Sequence, residues 1–206
     1  MSAPQLTPRS TPRQARSRER VQQILDVTER LVPDIGYDSI TTNLIARESG
    51  VPIGTLYHYY SNKFGIFSDI VRRSFAELES KWKEQPVADP ASEPIEDYFD
   101  CILDMMAEHW RHRRAAMQLW SILQHTPEMR AVTDRFLRLT TERNARTIAH
   151  YFPELPPARR KLAGMVMEEA GSALLNRLNT CRGAQRNRLR EEMKTLIRAY
   201  LGTLRR

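Results

Sequence analysis

Apolar residues recur at helical spacing along nearly the whole chain. Val21, Ile24, Leu25, Thr28 and Leu31 fall three and four residues apart, on one face of a helix predicted to begin near Ser17. Pro33 has no N–H and is expected to stop or kink that helix at about Val32, with Gly36 as a natural C-cap. Thr41 and Thr42 can cap a second helix running to about Ser49, and Gly50 marks the turn that follows. A third, short helix is predicted from about Pro52 or Ile53 to Tyr60. Ser61 and Asn62 offer a cap for a long fourth helix through Ile66, Phe67, Ile70, Val71, Phe75, Leu78 and Trp82. Pro86, Pro90 and Pro94 mark a bend.

The remainder reads as helix too. Over 95–110, Ile95, Phe99, Ile102 and Met106 share one face, opposite an acidic face from Glu93 to Glu108 that is expected to be a solvated stripe. Further helices fit about 113–124, 127–151, 157–181 and 185–204. Their breaks fall at Pro127, at Pro153 with Pro156 and Pro157, and at Gly183. No sustained strand-like alternation and no internal repeat interrupts this pattern. The fold class is all-α, with roughly nine helices expected from typical helix lengths.

Composition sharpens the picture. No apolar run approaches the ~20 residues of a membrane span, and the N-terminus has no apolar export segment, so a cytoplasmic location is expected. Two cysteines, Cys101 and Cys181, are too few for a disulfide scaffold and read as reduced thiols. The formal net charge of +7 favours a polyanionic partner. Residues 1–16, rich in proline and arginine, are expected to form a disordered basic arm, which either is merely solvated or tracks phosphates. Residues 21–75 carry 5 basic and 6 acidic residues, so the arm would provide much of any non-specific attraction to a polyanion.

Two short helices joined by a tight glycine-containing turn make a helix-turn-helix, whose second helix fits the major groove of DNA. Ala46 permits close helix packing, and Ile45, Val51, Leu56 and Tyr60 can fill the core beneath. From Arg18 to about Ser74 the chain resembles the TetR family of regulators. The resemblance rests on Gly36-Tyr37, Thr41-Thr42, Ile45-Ala46, Gly50-Val51, Gly54-Thr55-Leu56-Tyr57, Tyr60 and Lys63 in order and spacing. It departs from the family at Val32, Pro52 and Ile53, where an aromatic, a capping serine and a polar residue are usual. It implies a DNA-binding domain over 17–63 and a ligand-binding and dimerisation domain over 64–206. It also implies that Thr42 bonds a phosphate, that Gly54 lets the recognition helix approach DNA, and that Thr55 and His58 face base edges. Tyr57 and Tyr59 would contact phosphates or thymine methyls, with Tyr57 split between this role and the core, and Lys63 would pair with a phosphate.

The C-terminal residues are less specific. Met105, Met106, Trp110, Met117 and Trp120, with Phe136 and Met167, are candidates to line an apolar ligand pocket or are plain core. Glu169 shares a helical face with Leu162, Val166 and Ala173, and would meet either an arginine across a subunit interface or a ligand. Apolar stripes at Leu162, Val166, Ala173 and Leu174, then at Leu189, Met193, Leu196, Ile197 and Tyr200, suit a two-fold four-helix dimer interface or packing within one chain. His109 and His112 lack a third ligand, so no metal is expected, and neither is a cofactor. No nucleotide-binding, metalloprotease or nucleophile-elbow motif is present, so no enzyme is expected. The sequence thus points to a homodimeric regulator of duplex operator DNA, most simply a repressor released by an unknown small molecule. The alternative is constitutive or partner-controlled DNA binding without a ligand.

Overall fold

The helical periodicity is realised in the computed structural model, which describes residues 15–85, 87, 89–124, 126–127 and 129–205. Among these are nine α-helices: α1 (Ala15–Ile35), α2 (Thr42–Ser49), α3 (Ile53–Tyr59), α4 (Lys63–Lys83), α5 (Ile95–His112), α6 (Arg114–Leu123), α7 (Arg130–Tyr151), α8 (Pro157–Thr180) and α9 (Gly183–Gly202). A 3-10 turn, Thr203–Arg205, follows them. No helix among the described residues is long and apolar enough to cross a membrane. The basic arm expected over 1–16 lies outside the described residues as far as residue 14, and α1 already includes Arg16.

Of the two alternatives at Pro33, the structure does not show a stop: α1 runs on to Ile35. A proline this close to the C-terminus removes one hydrogen bond from a turn that is about to end, and Val32 beside it is buried. Gly36 then adopts φ +77° and its N–H donates to the Val32 carbonyl at 3.1 Å, closing the helix.

The chain packs as two units. One comprises the described residues of Met1–Ala76 with Arg113–Thr133; the other comprises Glu77–His112 with Asp134–Arg206. In the first, Ile24, Leu25, Ile45, Leu56, Tyr60, Phe67 and Ile70 form a fully buried core. Trp120 of α6 meets Phe75 edge-on at 4.8 Å between ring centroids. Thr28, also buried, is satisfied by donating to the Ile24 carbonyl at 2.7 Å.

In the second unit, Trp82 stacks on Phe136 at 5.9 Å. The acidic face of α5 is not simply solvated. Arg198 of α9 pairs with Asp97 and Asp100 at 3.0 and 2.9 Å, Lys194 pairs with Asp104 at 2.7 Å, and Arg205 pairs with Glu96 at 2.7 Å. The expected stripe therefore forms one side of a helix–helix seam. Arg198, Asp97 and Arg205 remain exposed, while Asp100, Lys194 and Glu96 are largely covered, so the exposed halves add little stability and the seam chiefly sets register.

Helices α7 and α8 touch backbone to backbone at Gly164. A Cβ there would stand 2.6 Å from the Thr141 carbonyl oxygen and 2.9 Å from the Ala145 nitrogen. Gly164→Ala is accordingly expected to destabilise the protein by about 1–3 kcal/mol, even though alanine is the better helix former. Chemical denaturation would show a lower midpoint. An unchanged or higher midpoint would mean that the two helices separate at no cost.

Candidate nucleic-acid interface and internal cavity

Helix α2 begins because Thr41 caps it: its Oγ1 accepts the Leu44 N–H at 3.1 Å while its own backbone stays extended. It ends at Gly50, whose φ of +66° turns the chain at a position where a side chain would be strained. Pro52 sits at the cap position of α3, one residue before the helix, and its carbonyl accepts the N–H groups of Thr55 and Leu56 at 2.8 and 3.0 Å. Asn62 caps α4, its Oδ1 accepting from the Gly65 N–H at 3.1 Å.

The register of α3 sorts its residues. Leu56 and Tyr59 point into the core together with Tyr60. Gly54, Tyr57 and His58 are exposed and Thr55 is half-exposed on the other side. Thr42, on the first turn of α2, reaches across to this side, and its Oγ1 lies 3.0 Å from the Tyr57 hydroxyl. Thr42, Gly54, Thr55, Tyr57 and His58 are thus presented outward.

Tyr59 is a correction. Only 4% of it is exposed, because it falls one turn after Leu56 on the buried face, so its ring is unavailable to phosphates or bases. Its neighbour His58 packs edge-on against it at 5.1 Å. Lys63 does start α4, but its ammonium donates to the carbonyls of Tyr37 and Asp38, both at 3.2 Å, and so clips the turn between α1 and α2. An ammonium has three donors, so this clip leaves one for another acceptor. The Tyr60 hydroxyl donates to Asp69 at 2.7 Å, and Arg72 holds the other oxygen of that carboxylate at 3.1 Å. Burial, with the Asp69 charge beside it, pushes the Tyr60 phenol well above its ordinary range, keeping it a neutral donor.

Gly54 has no internal reason to be glycine. It is helical, has no positive φ, and a Cβ would meet nothing within 4 Å. Gly54→Ala is expected to leave stability unchanged or raise it by up to about 1 kcal/mol. Affinity for an operator, read by fluorescence anisotropy, is expected to fall roughly tenfold, equivalent to about 1.4 kcal/mol. Full affinity in a well-folded variant would remove Gly54 from the interface.

The second unit holds a partly open cavity of about 50 Å³ between the end of α4 and helices α5, α7, α8 and α9. Of the residues proposed from sequence, Met106 and Met167 line it. Phe136 stands behind the wall, stacked on the lining residue Trp82. Met105 and Trp110 lie off the cavity, with Trp110 edge-on to His109 at 5.0 Å, while Met117 and Trp120 are core of the other unit. Glu169 is exposed; the buried acid is Glu168, one position earlier and only 3% exposed. The polar lining residues Thr140, Arg143 and Asn144 had a signal in the sequence, since they recur at i, i+3 and i+4 on α7. The i, i+4 pair of Glu168 and Ser172 on α8 was another.

Ser172 Oγ donates to Glu168 Oε1 at 2.6 Å. Burial pushes the Glu168 carboxyl up to about 7; the Ser172 hydrogen bond opposes this, and the charge of Glu169 adds to it. The folded protein therefore holds this proton more tightly than the unfolded chain. The resulting stability is fully present below the ordinary carboxylate range and is lost as pH rises through about 7. Glu168→Gln should then raise stability on the order of 2–3 kcal/mol at about pH 8 and have little effect near pH 4.5, measured by thermal melting. A difference that does not vary with pH would show that Glu168 ionises normally.

The stripe of α8 that carries Leu162, Met165, Val166, Glu169 and Ala173 faces outward, and Leu196 of α9 is 49% exposed. Leu174, Leu189, Ile197 and Tyr200 are half-buried. Met193 is a correction: at 1% exposure it belongs to the chain's own core and is closed to a partner. Ile197 lines the cavity. His112 bonds Glu108 at 2.7 Å, whereas His109 is buried 3.4 Å from Lys81, so the two histidines serve separate contacts.

Comparison with known proteins adds to this geometry. Residues 24–70 match the family model described as bacterial regulatory proteins, tetR family, and residues 94–201 match the one described as tetracyclin repressor-like, C-terminal domain. The HTH-type transcriptional repressor KstR of Rhodococcus jostii is 32% identical over 73 residues, which are 35% of this chain and 34% of that protein. The HTH-type transcriptional regulator BetI 1 of Chromohalobacter salexigens is 26% identical over 159 residues, covering 71% of this chain and 75% of its own. The fold matches that of a TetR-family transcriptional regulator from Streptomyces coelicolor with a TM-score of 0.63 and 23% identity, over 91% of this chain and 98% of the other.

Proposed function

This chain belongs to the tetR family of bacterial regulatory proteins and is a DNA-binding transcriptional regulator, and from that premise we propose that it is a homodimeric repressor released from a pseudo-palindromic operator by a small molecule. The observation that carries the DNA reading is the outward face of α3, where Gly54 lies bare between Thr55, Tyr57 and His58. In the proposed docking, Thr55 and His58 meet base edges in the major groove. Thr42 and Tyr57, already hydrogen-bonded to each other, meet a phosphate together, and Lys63 offers its remaining donor to another.

Dimerisation is supported by the exposed apolar stripe of α8 and by Leu196 on α9. Leu162, Met165 and Val166 on adjacent turns form a patch of the kind that marks an interface. Two such helix pairs about a two-fold axis would bury it and bring two recognition helices into one particle. The internal cavity in the C-terminal helices is the proposed effector site.

The test is selection of genomic fragments by the purified protein, followed by light scattering and operator titration of Val166→Glu/Leu196→Glu. We expect a pseudo-palindrome bound by a dimer, and a monomeric double variant that binds it at least roughly a hundredfold more weakly, the equivalent of about 2.7 kcal/mol. Absence of any enriched sequence would sink the operator reading. A double variant that stays dimeric would move the interface elsewhere.

A further inference from the structure

Glu168 places a carboxylate inside an otherwise largely apolar cavity without a cationic partner. The charged pairs among the described residues leave it out: no Lys, Arg or His is within 4.0 Å of its oxygens. Arg143 is the other charged group on the wall, and it is engaged elsewhere. Its Nη1 donates to the Trp82 carbonyl at 3.0 Å, its Nη2 donates to the Tyr98 hydroxyl at 2.7 Å, and its guanidinium lies over the Trp82 ring at 5.3 Å. The base is thus built into the wall, while the acid has one hydroxyl donor for a group that accepts about four hydrogen bonds. A buried carboxyl in this state costs stability unless a cation accompanies it.

The surroundings suit a cation with a hydrocarbon body. Phe99 and Trp82 present aromatic surface, and Met106, Met167 and Leu175 present apolar, adaptable surface. The volume, about 50 Å³, is room for a compact group. We propose that this cavity binds a small organic amine, its ammonium against the Glu168 carboxylate and its carbon chain against Met106, Met167 and Leu175. This inference rests on the proposed effector reading of the cavity and names the chemistry that reading leaves open.

Proton linkage follows from the same arrangement. Helices α4, α5 and α9 contribute only uncharged side chains to the wall, α7 contributes Arg143, and α8 contributes Glu168, with Glu169 pointing to solvent beside it. Below neutral pH the carboxyl must therefore give up its proton to solvent when an ammonium binds, and above it no proton moves.

The experiment is calorimetry on the full-length protein with n-butylamine, n-butanol and butyrate, at about pH 8 and pH 6, in two buffers of different ionisation enthalpy. The amine is expected to bind at least roughly tenfold more tightly than either other probe and to release close to one proton at the lower pH only. Glu168→Gln, checked for native helicity, is expected to reduce amine affinity to that of the alcohol. If that variant fails to fold, the proton release of the unaltered protein decides. Amine binding that is absent, matched by butanol or butyrate, retained in Glu168→Gln, or unaccompanied by proton release at pH 6 would each overturn the proposal. The same probes are added to the protein–operator complex. Glu168-dependent amine binding that leaves DNA bound refutes the effector reading and upholds the ligand class. Operator release by butanol or butyrate that is indifferent to Glu168→Gln does the reverse.

Discussion

A seven-residue helix has no independent stability in water, and everything the outer face of α3 presents depends on what holds its inner face. Leu56 and Tyr59 bury that face, and Tyr60, just past its end, donates its hydroxyl to Asp69 of α4 at 2.7 Å. Arg72 holds the second oxygen of the same carboxylate. At the other end of this stretch of α4, Lys63 grips the two carbonyls of the α1–α2 turn. Two turns of α4 therefore fix both the entry to the helix-turn-helix and the exit from its recognition helix. The direction in which Thr55 and His58 point is thus a property of α4 as much as of α3.

Helix α8 shows how one helix meets three demands at once. Ala163 and Gly164 are small where α7 comes close, Met167, Glu168 and Leu175 face the cavity, and Leu162, Met165 and Val166 remain outside. A helix that is apolar on nearly every side needs a neighbour on nearly every side. Helices α5, α7 and α9 cover two of its faces within the chain, and the third is the one we assign to a second copy. Glu169 sits amid that third face, so an ion-pair partner for it would have to come from across the proposed interface.

The helix-turn-helix was legible in the sequence because its information is local. A capping threonine, a glycine in the left-handed region and a small alanine at the crossing each act within a few residues of themselves, and Thr41, Gly50 and Ala46 take the positions the pattern requires. Helical content was legible for the same reason. What failed was phase. Tyr59 and Met193 are misjudged by about 100° of helical rotation, and it is Glu168, one position before Glu169, that turns toward the cavity; periodicity fixes the centre of a buried face better than its edges. Long-range pairing was not legible either. Nothing local in α5 announces that Asp97, Asp100 and Asp104 meet Arg198 and Lys194 about 90 to 100 residues away. Nor does spacing reveal that Trp120 belongs to a different packing unit from Trp110.

The charge distribution separates affinity from specificity. Although the chain carries a net +7, the outward groups of α3 and the first turn of α2 are hydroxyls, an imidazole, the Asn43 amide, the Ile53 side chain and bare backbone. Arg47 on α2 is already paired with Glu48 at 3.0 Å, and Lys63 spends two donors on the α1–α2 turn. In the proposed docking, direct charge neutralisation by the helix-turn-helix is therefore slight, and its contribution to the salt dependence of binding is correspondingly small. Arg16, Arg18 and Arg20, exposed on the first turns of α1, concentrate positive charge, and Arg9 and Arg13 precede them in sequence. In that docking, attraction to the duplex would fall to this arginine-rich segment, doubled by a second copy, and choice of sequence would fall to Thr55 and His58. Sequence preference should accordingly survive changes of ionic strength that weaken overall affinity, because base-edge hydrogen bonds release few counterions when they form.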